Sequence, residues 1–265
     1  MRSDSYSDFG NTTNPRLALV WDASLDLTAK LMVGQAFRAP SFNEQYGINP
    51  AGDGNPDIKP ERIRTMETAF SWQARKELKL NLNVYRYAMK DAIRPVAKSG
   101  GIGAQFTNTG RLHGGGMEVE AVWDASRNLR VTANLALQET IDESTNTDAG
   151  YAPRKHAYAR ADWRMAANWM LGSQLNWVAD RRRVKGDTRP QVPDYTTFDL
   201  ILRHTNEKSP WNFSLVARNL FNATALEPTL YVAAPGNQPS YPTSNIPGDL
   251  PVAPRSVWLQ VVYKL

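Results

Sequence analysis

Few side chains in this sequence are spaced for covalent chemistry. The three histidines, His113, His156 and His204, fall on different segments. His-x-x-x-His, Gly-x-Ser-x-Gly and phosphate-loop patterns are absent, so zinc hydrolysis, acyl transfer and nucleotide chemistry lack their usual residues. The chain has no cysteine, which excludes thiol catalysis, a Cys-ligated zinc and a disulfide framework. Asp53, Asn55 and Asp57 lie close together but do not follow the spacing of a calcium loop. An enzyme is therefore not expected, nor a metal, nor a cofactor. What remains is the chemistry of binding. Phe42, Asn43, Tyr46 and Asn49, then Tyr231, Asn237 and Tyr241, place rings and amides in two long polar segments. Such groups could stack on and hydrogen-bond a large, partly apolar ligand, with ordinary loop composition as the competing account. Arg181-Arg182-Arg183 with Lys185 is the densest charge run. It suits a solvated loop, or contact with an anionic surface or ligand.

The elements that must hold these residues are strands. Helical spacing is nearly absent, and period-two alternation, which puts alternate side chains on opposite faces of a strand, is almost everywhere. Leu129, Val131, Ala133, Leu135 and Leu137 alternate with Arg130, Thr132, Asn134, Ala136 and Gln138. About eleven such segments are predicted, near 15–22, 25–37, 62–73, 77–97, 103–123, 128–141, 152–165, 169–180, 194–204, 211–222 and 253–265. Most exceed the usual strand of about five or six residues and reach the roughly 9–11 that a tilted strand needs to cross a bilayer.

The connections alternate between short turns (near 22–24, 74–76, 124–128 and 166–168, with a slightly longer one near 205–210) and longer polar segments. Outer-membrane barrels have this pattern, with one tight rim and one elaborated rim. Trp21, Trp72, Trp123, Trp163, Trp169 and Trp211 all lie beside a short turn on the apolar face, six of eight tryptophans. Indole prefers the membrane interface, so these form one girdle, and Trp177 marks the other. The apolar runs are far shorter than the roughly 20 residues of a transmembrane helix. A mean hydropathy of −0.49 does not oppose a barrel, because only every second strand residue meets lipid. The expected fold is all-β, an antiparallel up-and-down transmembrane β-barrel in the bacterial outer membrane. A soluble β-sheet interaction protein is the alternative furthest from this; a self-contained porin-like channel is the nearer one. With 31 Lys and Arg against 26 Asp and Glu, the net charge is +5. The basic residues are mostly spread over alternating strands, so nucleic acid is not an expected partner.

Five motifs then carry a family resemblance. Phe37-Arg38-Ala39-Pro40-Ser41 runs into Phe42-Asn43-Glu44-Gln45-Tyr46-Gly47, followed by Asn55-Pro56-Asp57-Ile58-Lys59-Pro60-Glu61. Thr107-Asn108-Thr109-Gly110 leads to Gly116-Met117-Glu118-Val119-Glu120. Arg218-Asn219-Leu220-Phe221-Asn222 and Pro254-Arg255 come last. In this order they resemble TonB-dependent outer-membrane receptors. The resemblance implies that residues 1–265 match the C-terminal half of a 22-stranded barrel, without the plug domain. It implies energised uptake of a large scarce solute, such as a ferric siderophore, haem or cobalamin, driven by a TonB-type energy-transducing system acting on the plug. External-loop residues Phe42, Asn43, Tyr46, Tyr231 and Tyr241 would contact the ligand. Lumen residues Glu67 and Glu118 would face plug arginines, with solvated or wall-to-wall ion pairs as the other account. Outer-membrane lipid and lipopolysaccharide are the expected surroundings. A half-barrel would leave two strand edges unpaired, which hydrocarbon does not tolerate, so the chain by itself is not expected to insert stably.

Overall fold

The computed structural model describes residues 1–48, 52–98, 103–229 and 248–264. The strands are β1 (Arg2–Tyr6), β2 (Gly10–Asn14), β3 (Arg16–Asp22), β4 (Leu27–Arg38), β5 (Glu61–Arg75), β6 (Leu78–Ala97), β7 (Ala104–Ser126) and β8 (Leu129–Asp142). They continue with β9 (Thr147–Asp148), β10 (Pro153–Ala166), β11 (Trp169–Arg181), β12 (Tyr195–His204), β13 (Trp211–Arg218), β14 (Leu226–Glu227), β15 (Leu250–Pro251) and β16 (Ser256–Tyr263). One short helix, α1 (Phe42–Tyr46), follows β4. The main sheet runs β3-β4-β5-β6-β7-β8-β10-β11-β12-β13-β16, with β9 beside β8. Every neighbouring pair is antiparallel. This is the predicted meander, strand for strand. Among the described residues the sheet is not closed, since β3 and β16 stand at its two ends.

Three local differences have backbone causes. The segment expected over 211–222 ends at Arg218. Asn219 and Asn222 there adopt φ of 45° and 53°, a left-handed conformation that asparagine tolerates better than most residues. The Asn219 side chain also closes the turn, accepting from the Ala223 N–H at 2.8 Å and donating to its carbonyl at 2.9 Å. The last strand is shorter than 253–265 because it starts only after Pro254-Arg255, with the Arg255 N–H given to Asn222 Oδ1. The β1–β2 hairpin was not expected. It turns at Gly10, where φ is 80°, and is held by Tyr6 stacked on Phe9 at 4.4 Å.

Among the described residues the buried apolar side chains are few and scattered, such as Ile58, Val192 and Val216, and form no central core. The apolar face of the sheet is instead its exposed face: Leu17 is 73% exposed and Trp21 64%. Trp72, Trp123, Trp163, Trp169 and Trp211 are exposed on the same face at the short-turn rim, and Trp211 lies 4.7 Å from Tyr263. Along β6 the exposed positions Val84, Arg86, Ala88 and Lys90 alternate with more buried Tyr85, Tyr87 and Met89. The 20 residues of β6 and 23 of β7 exceed what a bilayer crossing needs. Their upper parts therefore stand beyond the membrane and support the loop that follows β4.

Candidate functional site

That loop explains the first motif residue by residue. Ser41 caps α1, accepting from the Glu44 N–H at 3.2 Å while its own N–H donates to Glu44 Oε2 at 2.7 Å. The reciprocal pair satisfies two amides that the helix start leaves open. Arg38 donates to both carboxylate oxygens of Glu44, at 2.9 and 3.0 Å, and to Glu61 Oε2 at 2.6 Å. Partial burial opposes charge on Glu44, but the Arg38 and Ser41 donors outweigh it and lower its pKa. The other Glu61 oxygen accepts the Ile93 N–H at 2.7 Å, which ties β5 to β6. Ile58 is 2% exposed, Asn55 donates to the Phe106 carbonyl, and Asn108 exchanges hydrogen bonds with the Lys59 backbone. Asp53 pairs with Lys98. Most motif residues are thus a staple. What the staple presents is Phe42, 79% exposed, and Tyr46, 46% exposed, with ring centroids 5.0 Å apart. Asn43 lies on the same helix and is exposed. Tyr231 and Tyr241, with Asn49 and Asn237, lie outside the described residues.

The polar face of the sheet carries the two predicted glutamates. Glu118 faces Asn83 across the strand pair and lines a concavity of about 420 Å³ with Lys30, Ser71, Lys79, Asn81 and Glu120. Glu67 faces Tyr85 and Met32 and lines a separate recess with Arg16 and Thr65, so the two acids are not brought together. Wall-to-wall pairing does occur on this face, where Arg160 binds Asp162 at 2.7 and 2.8 Å and Arg130 binds Asp124 at 2.6 and 2.9 Å. Neither Glu67 nor Glu118 forms an ion pair of that kind among the described residues. Above them the wall is flat by construction. Tyr85 and Tyr87 lie across Gly116 and Gly114 to reach Gln138 and Thr140 on the next strand. A Cβ at Gly116 would sit 2.7 Å from the Tyr85 hydroxyl oxygen, so the close approach requires glycine.

The arginine run is not a solvated loop. Arg181 is 0% exposed. It donates to the carbonyls of Leu226 and Pro193, stacks over Tyr195 at 4.9 Å and lies 3.5 Å from Glu227. Arg183 is buried against Asp249, at 2.6 and 3.0 Å. Arg189 binds Asp187 and Thr229. These contacts lock the 181–195 loop to β14, β15 and the residues beside them. Hydrogen bonds from Arg189 and Arg183 hold the carboxyls of Asp187 and Asp249, respectively, below the usual range. Only Arg182 and Lys185 of the run are solvent-facing. The sequence could not show this, because Leu226 and Glu227, which meet Arg181, and Asp249, which meets Arg183, lie 45, 46 and 66 positions away.

Comparison with known proteins gives this geometry a context. The family described as TonB dependent receptor-like, beta-barrel, matches residues 1–220. The chain belongs to that family. Its members are outer-membrane barrels, so the exposed apolar face meets lipid and the polar face lines the lumen. The vitamin B12 transporter BtuB of Vibrio vulnificus is 26% identical over 84% of this chain and 35% of its own length. The iron-regulated outer membrane virulence protein of Vibrio cholerae is 25% identical over 75% of this chain and 34% of its own. The chain therefore spans about a third of the curated relatives it matches. Among solved structures, the ferric enterobactin receptor of Pseudomonas aeruginosa superposes with a TM-score of 0.77 at 18% identity, covering 98% of this chain and 41% of that one. The siderophore receptor PirA of Acinetobacter baumannii gives 0.75 at 16% identity, with 98% and 42% covered. These two likenesses bear on the fold of the TonB-dependent barrel alone. Within that barrel the sequence reading named Arg38, Glu44 and Glu61 as motif residues but missed that they brace one another. Their signal was available, as a Ser-x-x-Glu capping box beside a lone strand-end arginine.

Proposed function

We propose that this chain is the C-terminal part of an outer-membrane receptor that takes up a large, scarce solute, with a plug domain supplied by sequence outside residues 1–265. The cargo class is a ferric siderophore, haem or cobalamin. The carrying observation is the family match over residues 1–220 on an eleven-strand meander that, among the described residues, ends at β3 and β16. In this reading no bond of the cargo is made or broken. Phe42 and Tyr46 offer a ring ledge for the apolar part of a chelate, with Asn43 as a polar contact and Tyr231 and Tyr241 on the second long loop. Glu67 and Glu118, which lack ion pairs on the wall, face cations of the plug. A TonB-type energy-transducing system works on that plug.

The test is uptake by the host that makes the receptor. Deleting the gene is expected to abolish accumulation of one of three labelled probes, ferric enterobactin, haemin or cyanocobalamin, under starvation for it. Phe42→Ala with Tyr46→Ala should lower retention of the same probe at least tenfold while receptor abundance stays constant. Unchanged accumulation of all three probes after deletion would overturn the reading.

A further inference from the structure

We propose that the lumen wall carries a hydrogen-bonding track that crosses the membrane, the row of facing side chains that runs from Thr28 on β4 to Thr197 on β12. It would pass a solute whose surface presents amide, hydroxyl or carbonyl groups. The track rests on the transport reading above, because it serves only a solute that crosses the barrel. It uses neither of the glutamates assigned to the plug and none of the loop residues assigned to first contact with the cargo.

Register builds the row. Thr28 stands opposite Ser71, Ser71 opposite Asn81, and Asn81 opposite Glu120. Glu120 then faces Asn134, and Asn134 faces Tyr158. Tyr158 faces Asn176, which faces Thr197. Eight successive strands of the main sheet thus each contribute a hydroxyl, an amide or, once, a carboxylate. None of the eight residues is buried. At the lower end Thr28, Ser71, Asn81 and Glu120 line the concavity of about 420 Å³. Bonds within the wall occupy only part of what the row offers. Asn81 donates to Glu120 at 2.8 Å, Tyr158 donates to Gln174 at 3.2 Å, and Asn176 Oδ1 accepts from His156 at 2.6 Å. A side-chain amide has two N–H donors and two acceptor sites, so both asparagines keep capacity. Among the described residues the side chains of Ser71, Asn134 and Thr197 have no hydrogen-bond partner.

Two physical points turn this row into a track. The first is slope. Barrel strands tilt by about 35–45°, so the direction across the strands is inclined to the membrane plane by the same angle. Seven steps between the eight strands, at about 4.8 Å each, give roughly 34 Å along the row. That is roughly 19–24 Å of height, against an apolar band about 25 Å tall. The ends agree with this climb. Thr28 is the second residue of β4, just after a short turn, and Thr197 is the third residue of β12, just after a long loop. The second point is continuity. One step toward the long loops, Ala69, Ala136 and Val178 break the series. One step toward the short turns, Val122 breaks it between Lys79 and Thr132. Two steps that way, the wall becomes Gly172, Ile201, Val216 and Trp258. A solute that follows the row meets a new donor or acceptor about every 5 Å. Its polar groups can therefore exchange one partner for the next instead of being left desolvated and unpaired, which is the costly outcome.

The experiment uses the complete receptor in the host that makes it. The probe is whichever of ferric enterobactin, haemin and cyanocobalamin the host ceases to accumulate when the gene is deleted. Two quantities are read, the probe retained by energy-depleted cells and the initial rate of accumulation by energised cells at saturating probe. Ser71→Ala, Asn134→Leu and Thr197→Val together should lower the rate at least fivefold, with retention and receptor abundance within twofold of the unaltered protein. Asn134→Leu alone should lower the rate at least twofold, and decides the matter if the triple variant does not fold. Asn134→Gln, which keeps the amide, should restore the rate. Ala136→Leu, which adds bulk one step off the row, should leave it unchanged. An unaltered rate in Asn134→Leu, or a loss of the same size in Asn134→Gln or Ala136→Leu, would overturn the proposal. So would a fall in retention as large as the fall in rate, which would assign these residues to capture instead of transit. If deletion spares all three probes, the transport reading fails and the track fails with it. Normal rates in the variants, in a host whose uptake depends on the gene, would sink the track alone.

Discussion

Two sets of cations in this molecule have opposite fates. Arg181, Arg183 and Arg189 are close in sequence and look like a solvated basic loop. They are spent internally, on carbonyls, a tyrosine ring and the carboxylates of Glu227, Asp249 and Asp187. Arg62, Arg64, Arg86, Lys90 and Arg111 are scattered over fifty residues and look unremarkable. Strand register gathers them on one exposed face with no carboxylate partner among the described residues. Charge density along a chain therefore says little about available charge. Availability depends on what the fold sets opposite each cation. A loop can bring distant carboxylates and carbonyls to a guanidinium, whereas the lipid side of a barrel offers it nothing but neighbours of the same face.

The sharpest way to break this contrast is Arg181→Met. Methionine keeps much of the volume but leaves the Leu226 and Pro193 carbonyls without their donor and Glu227 without its cation. Removing one member of a buried polar cluster costs about 3–5 kcal/mol, here an upper range because Glu227 is partly solvated. The expected result is rapid proteolytic cleavage between residues 181 and 195 in a chain whose strands remain protected. Arg181→Lys should restore only part of the protection, since an ammonium cannot span two carbonyls and stack on Tyr195. Protection equal to the unaltered protein would mean that the clasp is not held by this residue.

Acid probes the same clasp more gently. The carboxyls of Asp187 and Asp249 are lowered by their arginine partners. A group with a depressed folded pKa contributes stability above its unfolded value, about 3.9 for Asp, and loses it as pH falls through the folded value. Loop protection should thus be constant from pH 7 to about 5 and decline below about 4. Asp249→Asn should already be less protected at pH 7, by about 2 kcal/mol for a broken charge-assisted pair. It should also show a flatter acid response, because one of the titrating groups is gone. An unaltered acid profile in that variant would assign the pH dependence to other carboxylates.

What the sequence made legible follows the same division. Period two located all eleven strands of the main sheet, and the tryptophans located the short-turn rim, because both are set by a residue's immediate neighbours and by the lipid. The β1–β2 hairpin escaped, since Arg2–Asn14 is polar on both faces and its signal is a single glycine turn. The burial of Arg181 escaped because it depends on Tyr195, Leu226 and Glu227 meeting it across two loops. Glu67 and Glu118 were assigned to the polar face from parity alone, and the structure places them on it in separate recesses. That Glu67 and Glu118 form no ion pair among the described residues, whereas Asp124 and Asp162 do, required register. The Phe42–Tyr46 ledge was half legible. Phe42 and Tyr46 stood out as loop aromatics, whereas Arg38, Ser41, Glu44, Ile58 and Glu61 carried the family resemblance without showing that they support that ledge.

The smallest expected effect sharpens the comparison from its other side. If the β5–β7 cations are truly unpaired, neutralising any one of them should barely alter stability. Arg62→Gln removes a like-charge neighbour from Lys90 and breaks no ion pair, so its change should lie within about 0.5 kcal/mol. The sign is informative. In detergent, relief of repulsion between opposed strands favours a slight stabilisation, growing as ionic strength falls because exposed charges are screened by salt. Thermal unfolding of the variant in detergent at low and high ionic strength tests this dependence. A loss above 1 kcal/mol in plain detergent would instead reveal an internal partner for Arg62, and the division between spent and available cations would no longer hold.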